Sequence, residues 1–271
     1  TFLLCVLLRK WTYQLQLQPQ TLWLGALYAV CSLSVCIFVG WASCMEIFAG
    51  VAAGLLSGHV LIMALQKQGA QIHLSNGVIL LTLLLGVTSL FIYQTAFGIF
   101  LLPFLLQYTK GQVAKPARAV IIGVVFYLLT YGVYYLLFKY SLQAYDTVAS
   151  DRTGISFNLL KKVSFFFSGP LPQAFSMNVP FHAGSIFSQV LYPVVALVWV
   201  VSVFKNNRHQ SFMRNIQRIA VVFLLLALVY LPLMIAKENF ASYRTLYAFN
   251  LAVFIMVIDS VLQWLKGNKI Q

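Results

Sequence analysis

Four short stretches of this chain place groups that do chemistry beside one another. Tyr93-Gln94 interrupts a long apolar run. A carboxamide among apolar residues needs hydrogen-bond partners, and a ligand hydroxyl serves as well as a protein group. The pair reads equally as a polar corner at which a hairpin turns. Tyr243-Arg244 closes the polar stretch that starts at Lys237. A guanidinium offers a two-pronged fork that fits a phosphate or diphosphate leaving group. The alternative is an anchor, with arginine snorkelling and tyrosine in the aromatic belt of a membrane.

Asp151-Arg152 suits a polar acceptor, or is plain loop charge, and Lys161-Lys162 suits lipid phosphates. Glu46 opens an apolar run. A carboxylate there costs free energy if it faces lipid. It reads as a general base, a metal ligand, or an ion-pair partner of Arg244 or a lysine. No phosphate-binding glycine loop, Gly-x-Ser-x-Gly or His-Glu-x-x-His is present, so chemistry has to come from scattered groups that converge.

The elements that must bring them together are set by composition. The chain has 271 residues, 61% of them hydrophobic and 8% charged, where a soluble domain carries about 25% charged residues. Apolar runs of this length need lipid around them, with the backbone satisfied inside each segment. The runs are continuous rather than alternating, which predicts helices and excludes a barrel. The expectation is an all-α, polytopic transmembrane bundle, one domain over 1–271. The net charge of +13 has no aromatic-interleaved basic segment to go with it, which excludes a nucleic-acid surface. Cys5, Cys31, Cys36 and Cys44 show no zinc spacing.

Spans are expected at 22–42, 46–66, 77–92, 94–109, 118–139, 185–204, 217–235 and 245–265, about eight in all by hydropathy. Thr1 to Leu8 reads as the stub of a helix whose start, with earlier spans, precedes this sequence. The run 22–66 would be about 65 Å as one helix, twice a hydrocarbon core, so a corner is placed at Gly40-Trp41-Ala42-Ser43. The run 77–108 is read as a hairpin turning at Tyr93-Gln94, because charge then sorts consistently. One side collects Arg9, Lys10, Lys67, Lys110, Lys115, Arg118, Lys205, Arg208, Arg214, Arg218, Lys266 and Lys269. The other holds only Lys139, Arg152, Lys161, Lys162, Lys237 and Arg244. The first side is cytoplasmic by the positive-inside rule, which puts the C-terminus there too. Glu46, Asp146, Asp151 and Glu238 fall outside, together with a long loop at about 140–184, in which Ile155 to Phe167 is expected to lie as an interfacial helix. Asp259 alone is a charge within a span, with no partner visible in the sequence.

Phe91-Ile92-Tyr93-Gln94 between short paired spans, the long outer loop, and Ser242-Tyr243-Arg244-Thr245 opening the last span resemble the GT-C class of membrane glycosyltransferases. The likeness is to the bacterial and phage family that glucosylates O-antigen, a component of lipopolysaccharide in the cell envelope. The resemblance covers most of the chain through short motifs. It implies a bacterial inner-membrane enzyme that moves a sugar, glucose being the family's, from polyprenyl phosphate to a glycan acceptor on the non-cytoplasmic face. Such a transfer needs a carboxylate for the acceptor's proton and positive charge for the departing phosphate. The family keeps its carboxylate in the loop after its first span. Here Glu46, in a later loop, is the nearest candidate. Arg244 with Lys161 or Lys162 would meet the phosphate, and Tyr93, Gln94, Tyr243, Asp151 and Arg152 would contact sugar or acceptor. The resemblance singles out no cofactor, and a divalent metal fits the chemistry without a ligand set that demands it. Three other readings stand beside this one: a transporter or flippase, a polysaccharide polymerase or ligase, and a membrane subunit without chemistry.

Overall fold

The computed structural model describes residues 2–32, 34–35, 46–67, 74–110, 116–146, 158–177, 186–239 and 241–267. The regular elements among them are helical. In chain order these are α1 (Phe2–Gln14), α2 (Pro19–Cys31), α3 (Glu46–Lys67) and α4 (Asn76–Ile92). A 3-10 segment (Gln94–Leu101) runs directly into α5 (Leu102–Lys110). After it come α6 (Pro116–Ala144), α7 (Leu159–Ser168), α8 (Pro170–Phe175), α9 (Ile186–Asn206), α10 (Phe212–Val229), α11 (Leu231–Ile235) and α12 (Tyr247–Gly267).

Five of these are long and apolar enough to cross a membrane, namely α3, α6, α9, α10 and α12. The chain is therefore a multi-pass helical membrane protein. Among the described residues five of the eight expected spans meet this measure, and the other three miss it for identifiable reasons. The helix expected over 22–42 is described only as Pro19–Cys31, and the corner at 40–43 lies outside the described residues. Asn76–Ile92 is apolar but has 17 residues, and 94–109 is a 3-10 segment followed by a short helix. The expected stub is a packed helix of 13 residues, with Leu4, Leu7, Leu8 and Trp11 buried. The span expected at 217–235 stops at Val229, where Tyr230 leaves helical geometry and α11 restarts at Leu231 with Pro232 in its first turn.

Local signals place the ends. Ser75 Oγ accepts the Val78 amide at the start of α4, Asn158 Oδ1 accepts that of Lys161 in α7, and Ser211 Oγ accepts that of Arg214 in α10. Each satisfies a backbone donor that the first turn leaves unpaired. At Tyr93 the backbone is extended, with φ −159° and ψ 109°, and the chain reverses. Two bonds fix the sense of the reversal. Ser89 Oγ donates to the Gly50 carbonyl and Ser57 Oγ to that of Thr82, both at 2.7 Å, so α4 runs antiparallel to α3. Beyond Tyr93 the close neighbours run the other way: Gly50 faces Ala96, Gly54 faces Ile99 and Gly58 faces Phe100. The 3-10 segment is thus parallel to α3 and antiparallel to α4.

That segment is the core of the molecule, and every residue from Ala96 to Gln107 is buried. Long 3-10 runs are uncommon because their hydrogen bonds are poorly aligned. This one is held from all sides. A Cβ on Gly58 would lie 2.3 Å from the Phe100 carbonyl oxygen, and one on Gly98 would lie 2.1 Å from that of Val229. Only glycine lets these backbones approach so closely, as in membrane helix pairs with small residues every fourth position. Phe97 stacks on Tyr127 of α6, with centroids 5.2 Å apart and planes 7° from parallel. Exposed Leu80 and Leu84 on α4, Ile121, Val125 and Leu136 on α6, and Val190, Val194 and Leu197 on α9 form the outward apolar surface. Such a surface belongs in lipid.

Candidate functional site

The reversal at Tyr93 creates a pocket. Leu90 to Thr95 and Tyr134 line an open cavity of about 330 Å³. The apolar run 77–92 ends here because the next two residues are polar enough to sit at a helix end. Gln94 is exposed at the pocket mouth, and its Nε2 donates to Tyr134 Oη at 2.5 Å. Among the described residues nothing donates to its Oε1, which leaves an acceptor open. Phe91 meets the Tyr134 ring edge to face at 5.0 Å. Behind this wall the hydroxyls continue inward. Tyr131 Oη donates to the Gln94 carbonyl at 3.4 Å and lies 3.5 Å from Tyr127 Oη, which donates to the Leu228 carbonyl at 2.6 Å. The pocket therefore offers an amide, a threonine hydroxyl, a tyrosine hydroxyl and aromatic faces. That chemistry suits a ligand with several hydroxyls and an apolar side.

Three of the other expected site residues, Glu46, Tyr243 and Arg244, sit at the same end of the bundle. Glu46 is the first residue of α3 and is exposed. A carboxylate is favourable there, next to the amides of a helix N-terminus. Tyr243 and Arg244 lie in a turn that Ser242 and Thr245 close reciprocally. The Ser242 amide donates to Thr245 Oγ1 at 3.0 Å, and the Thr245 amide donates to Ser242 Oγ at 3.4 Å. This is the logic of a capping box. Ser34 Oγ holds the turn by donating to the Tyr243 carbonyl at 2.8 Å. Both Tyr243 and Arg244 are partly exposed. Tyr247, one turn further on, packs edge to face on Phe48 at 5.7 Å, which ties this turn to the Glu46 end of α3.

The two lysines of the pair part company. Lys161 is exposed, whereas Lys162 is buried and turned inward. Lys162 Nζ donates to the Ala236 carbonyl and, at 2.6 Å, to Asn239 Oδ1, with the carbonyls of Lys237 and Glu238 close by. Burial, and after it the charge on Lys161, pull its pKa below the ordinary lysine value. Its expected contact with lipid phosphate is replaced by this cage of oxygens. Asp151 and Arg152 lie outside the described residues. Among the described residues no cluster of three or more His, Cys, Asp or Glu side chains is placed to hold a metal.

A second polar site was not legible as a site. Asp259 of α12, alone in the sequence view, meets Lys110 at the end of α5, Nζ to Oδ2 3.0 Å, with side chains 3% and 2% exposed. Asp259 Oδ1 also accepts the Gln18 amide at 2.8 Å and Thr21 Oγ1 at 3.0 Å. Lys110 Nζ donates to the carbonyl of Gln16, whose backbone is left-handed at φ 54°. The signal that could have found the pair is the need of a lone carboxylate within a span for a cation at similar depth. Lys110 stands next to an expected span end, where it reads as an orientation charge. The pair lies at the far end of the bundle from Glu46, clamping the α1–α2 connection. No protein family, curated protein or solved structure matches the chain.

Proposed function

We propose that this protein is a membrane glycosyltransferase, taking a sugar from a polyprenyl-phosphate donor and passing it to a glycan acceptor on the non-cytoplasmic face. The observation that carries the reading is the pocket at Tyr93–Gln94. It pairs a carboxamide and hydroxyls with aromatic walls, the combination that sugar recognition asks for. It opens at the end of the bundle that also carries Glu46 and Arg244. In this reading Gln94 and Tyr134 hold sugar or acceptor hydroxyls, Arg244 stabilises the departing phosphate, and Glu46 is the carboxylate nearest to hand for the acceptor proton. The bacterial inner membrane, glucose as the sugar, and a cytoplasmic C-terminus belong to the same proposal.

The test is made on the protein in liposomes with polyprenyl-phosphate glucose and candidate glycan acceptors, following release of polyprenyl phosphate. Acceptor-dependent release that falls at least tenfold in Arg244→Ala and in Gln94→Leu supports the proposal. A folded protein that releases nothing with any donor or acceptor overturns it.

A second reading, a transporter, draws on one observation. Lys110–Asp259 is a buried ion pair, and buried ionisable groups mark ion and substrate paths in transporters. Against it stands the full set of partners around Asp259, which suits a brace. Substrate-dependent proton movement that is lost in Asp259→Asn, while thermal stability is kept, would select this reading.

A further inference from the structure

Helix α7 divides its surface into three strips. At 100° per residue, Lys162 and Phe166 share the inward strip, and both are buried. Phe166 packs on Tyr230 and Phe249, each with centroids 5.8 Å away. Leu160, Val163 and Phe167 share a second strip and are 86%, 43% and 51% exposed. Lys161, Ser164 and Ser168 share the third, which is also exposed. The outward half of the helix is thus split lengthwise, apolar on one side and polar with one positive charge on the other. A fully aqueous setting leaves the apolar strip unexplained, and a hydrocarbon setting leaves the polar strip unexplained. A boundary running along the helix accounts for both, and a bilayer surface is such a boundary.

The position of α7 agrees. Lys162 binds it to 236–239, the stretch that leads into α12 at the Glu46 end. At that same end α6 passes the Tyr134 wall and then presents exposed Tyr140 and Lys139, the latter 5.5 Å above the Tyr135 ring. Tyrosine and lysine at a span end mark headgroup level.

We propose that α7 is a surface-seated helix that inserts Leu160, Val163 and Phe167 into the headgroup–acyl boundary of the leaflet at the Glu46 end, with Lys161 against the phosphate of an anionic lipid. Through Lys162 the seating is passed to the 236–239 turn, so the lipid surface itself sets the level of the segment that carries Tyr243 and Arg244. The inference rests on the membrane character of the chain and not on the sugar-transfer reading, and its test uses no enzymatic readout.

The experiment places a nitroxide singly at 160, 163, 167, 164 and 168 in the full chain. Its native cysteines are replaced by serine, and the protein is reconstituted in phosphatidylcholine vesicles with and without phosphatidylglycerol. Power saturation is read with oxygen and with a water-soluble nickel chelate. Labels at 160, 163 and 167 are expected to meet oxygen at least threefold more readily than nickel, and labels at 164 and 168 the reverse. Phosphatidylglycerol is expected to move the first three deeper, and Lys161→Gln to abolish that shift. Nickel access at all five positions, or loss of both relaxants at 160, 163 and 167 as beneath a protein partner, overturns the proposal. A depth insensitive to phosphatidylglycerol in the native sequence overturns the role of Lys161.

Discussion

Lys110 Nζ and Asp259 Oδ2 lie 3.0 Å apart with both side chains shut away from solvent. Neither charge is adjacent in sequence to any other residue of the cluster, yet together they fix the turn between the first two helices. Removing one partner of such a pair leaves a buried charge uncompensated and typically costs about 3–5 kcal/mol. Asp259→Asn is therefore expected to lower the thermal midpoint in detergent sharply. The double replacement Lys110→Met, Asp259→Asn removes both charges, keeps an oxygen for the Gln18 amide and the Thr21 hydroxyl, and is expected to regain most of the loss. A double variant as unstable as the single one would show that the pair is not the brace.

Gly58 and Gly132 make a matched pair for a second measurement. A methyl at Gly58 meets the Phe100 carbonyl at 2.3 Å, whereas one at Gly132 meets nothing within 4 Å. Gly58→Ala is expected to cost about 1–3 kcal/mol, since backbone rather than a flexible side chain must give way. Gly132→Ala is expected to add up to about 1 kcal/mol from helix propensity. Equal midpoints for the two variants would contradict the close packing of α3 on the 3-10 segment.

Replacement of Lys162 by methionine strips the 236–239 carbonyls of their cation. Hydrogen bonds to charged groups contribute about 1.5–3 kcal/mol. The local outcome is faster amide exchange over 230–246 in Lys162→Met, with Lys161→Met unchanged. Parallel acceleration in both variants would mean that the two lysines share one environment.

At the pocket, Gln94→Leu removes an exposed amide bonded to Tyr134. Its cost to the fold is expected to stay under about 1 kcal/mol, as for other partly exposed hydrogen bonds. A large loss of thermal stability in Gln94→Leu would make the amide a structural tie and withdraw it as a ligand group.

Much of the architecture is visible in the apolar runs, because a long charge-free stretch has one stable form in lipid. The reversal at Tyr93 is visible too, since two polar residues interrupt such a run. The winding after it is not. Gln94 to Leu101 carries no local code for a 3-10 segment. That geometry follows from the glycines of α3 and the carbonyl of Val229, which no local reading connects to it. The stretch Phe165-Phe166-Phe167 shows a related limit. Hydrophobicity places all three out of water, but only packing sends Phe166 into the core and Phe167 out of it. Helical phase does separate Lys162 from Lys161, because Lys162 and Phe166 are four residues apart. Reading the two lysines as one basic patch overlooks that phase. Lys110 and Asp259 come together through tertiary structure alone.

The fit of Gly98 against Val229 sets an order of assembly. The chain from Ala96 to Leu106 is synthesised first, yet one of its walls is a helix made more than a hundred residues later. Until that helix arrives, a stretch shaped for close protein contact on every side has lipid or unfilled space where a backbone belongs. The core is completed only when the helix over 212–229 enters the bilayer, and a ribosome that stops short of it leaves the core, not the edge, unfinished.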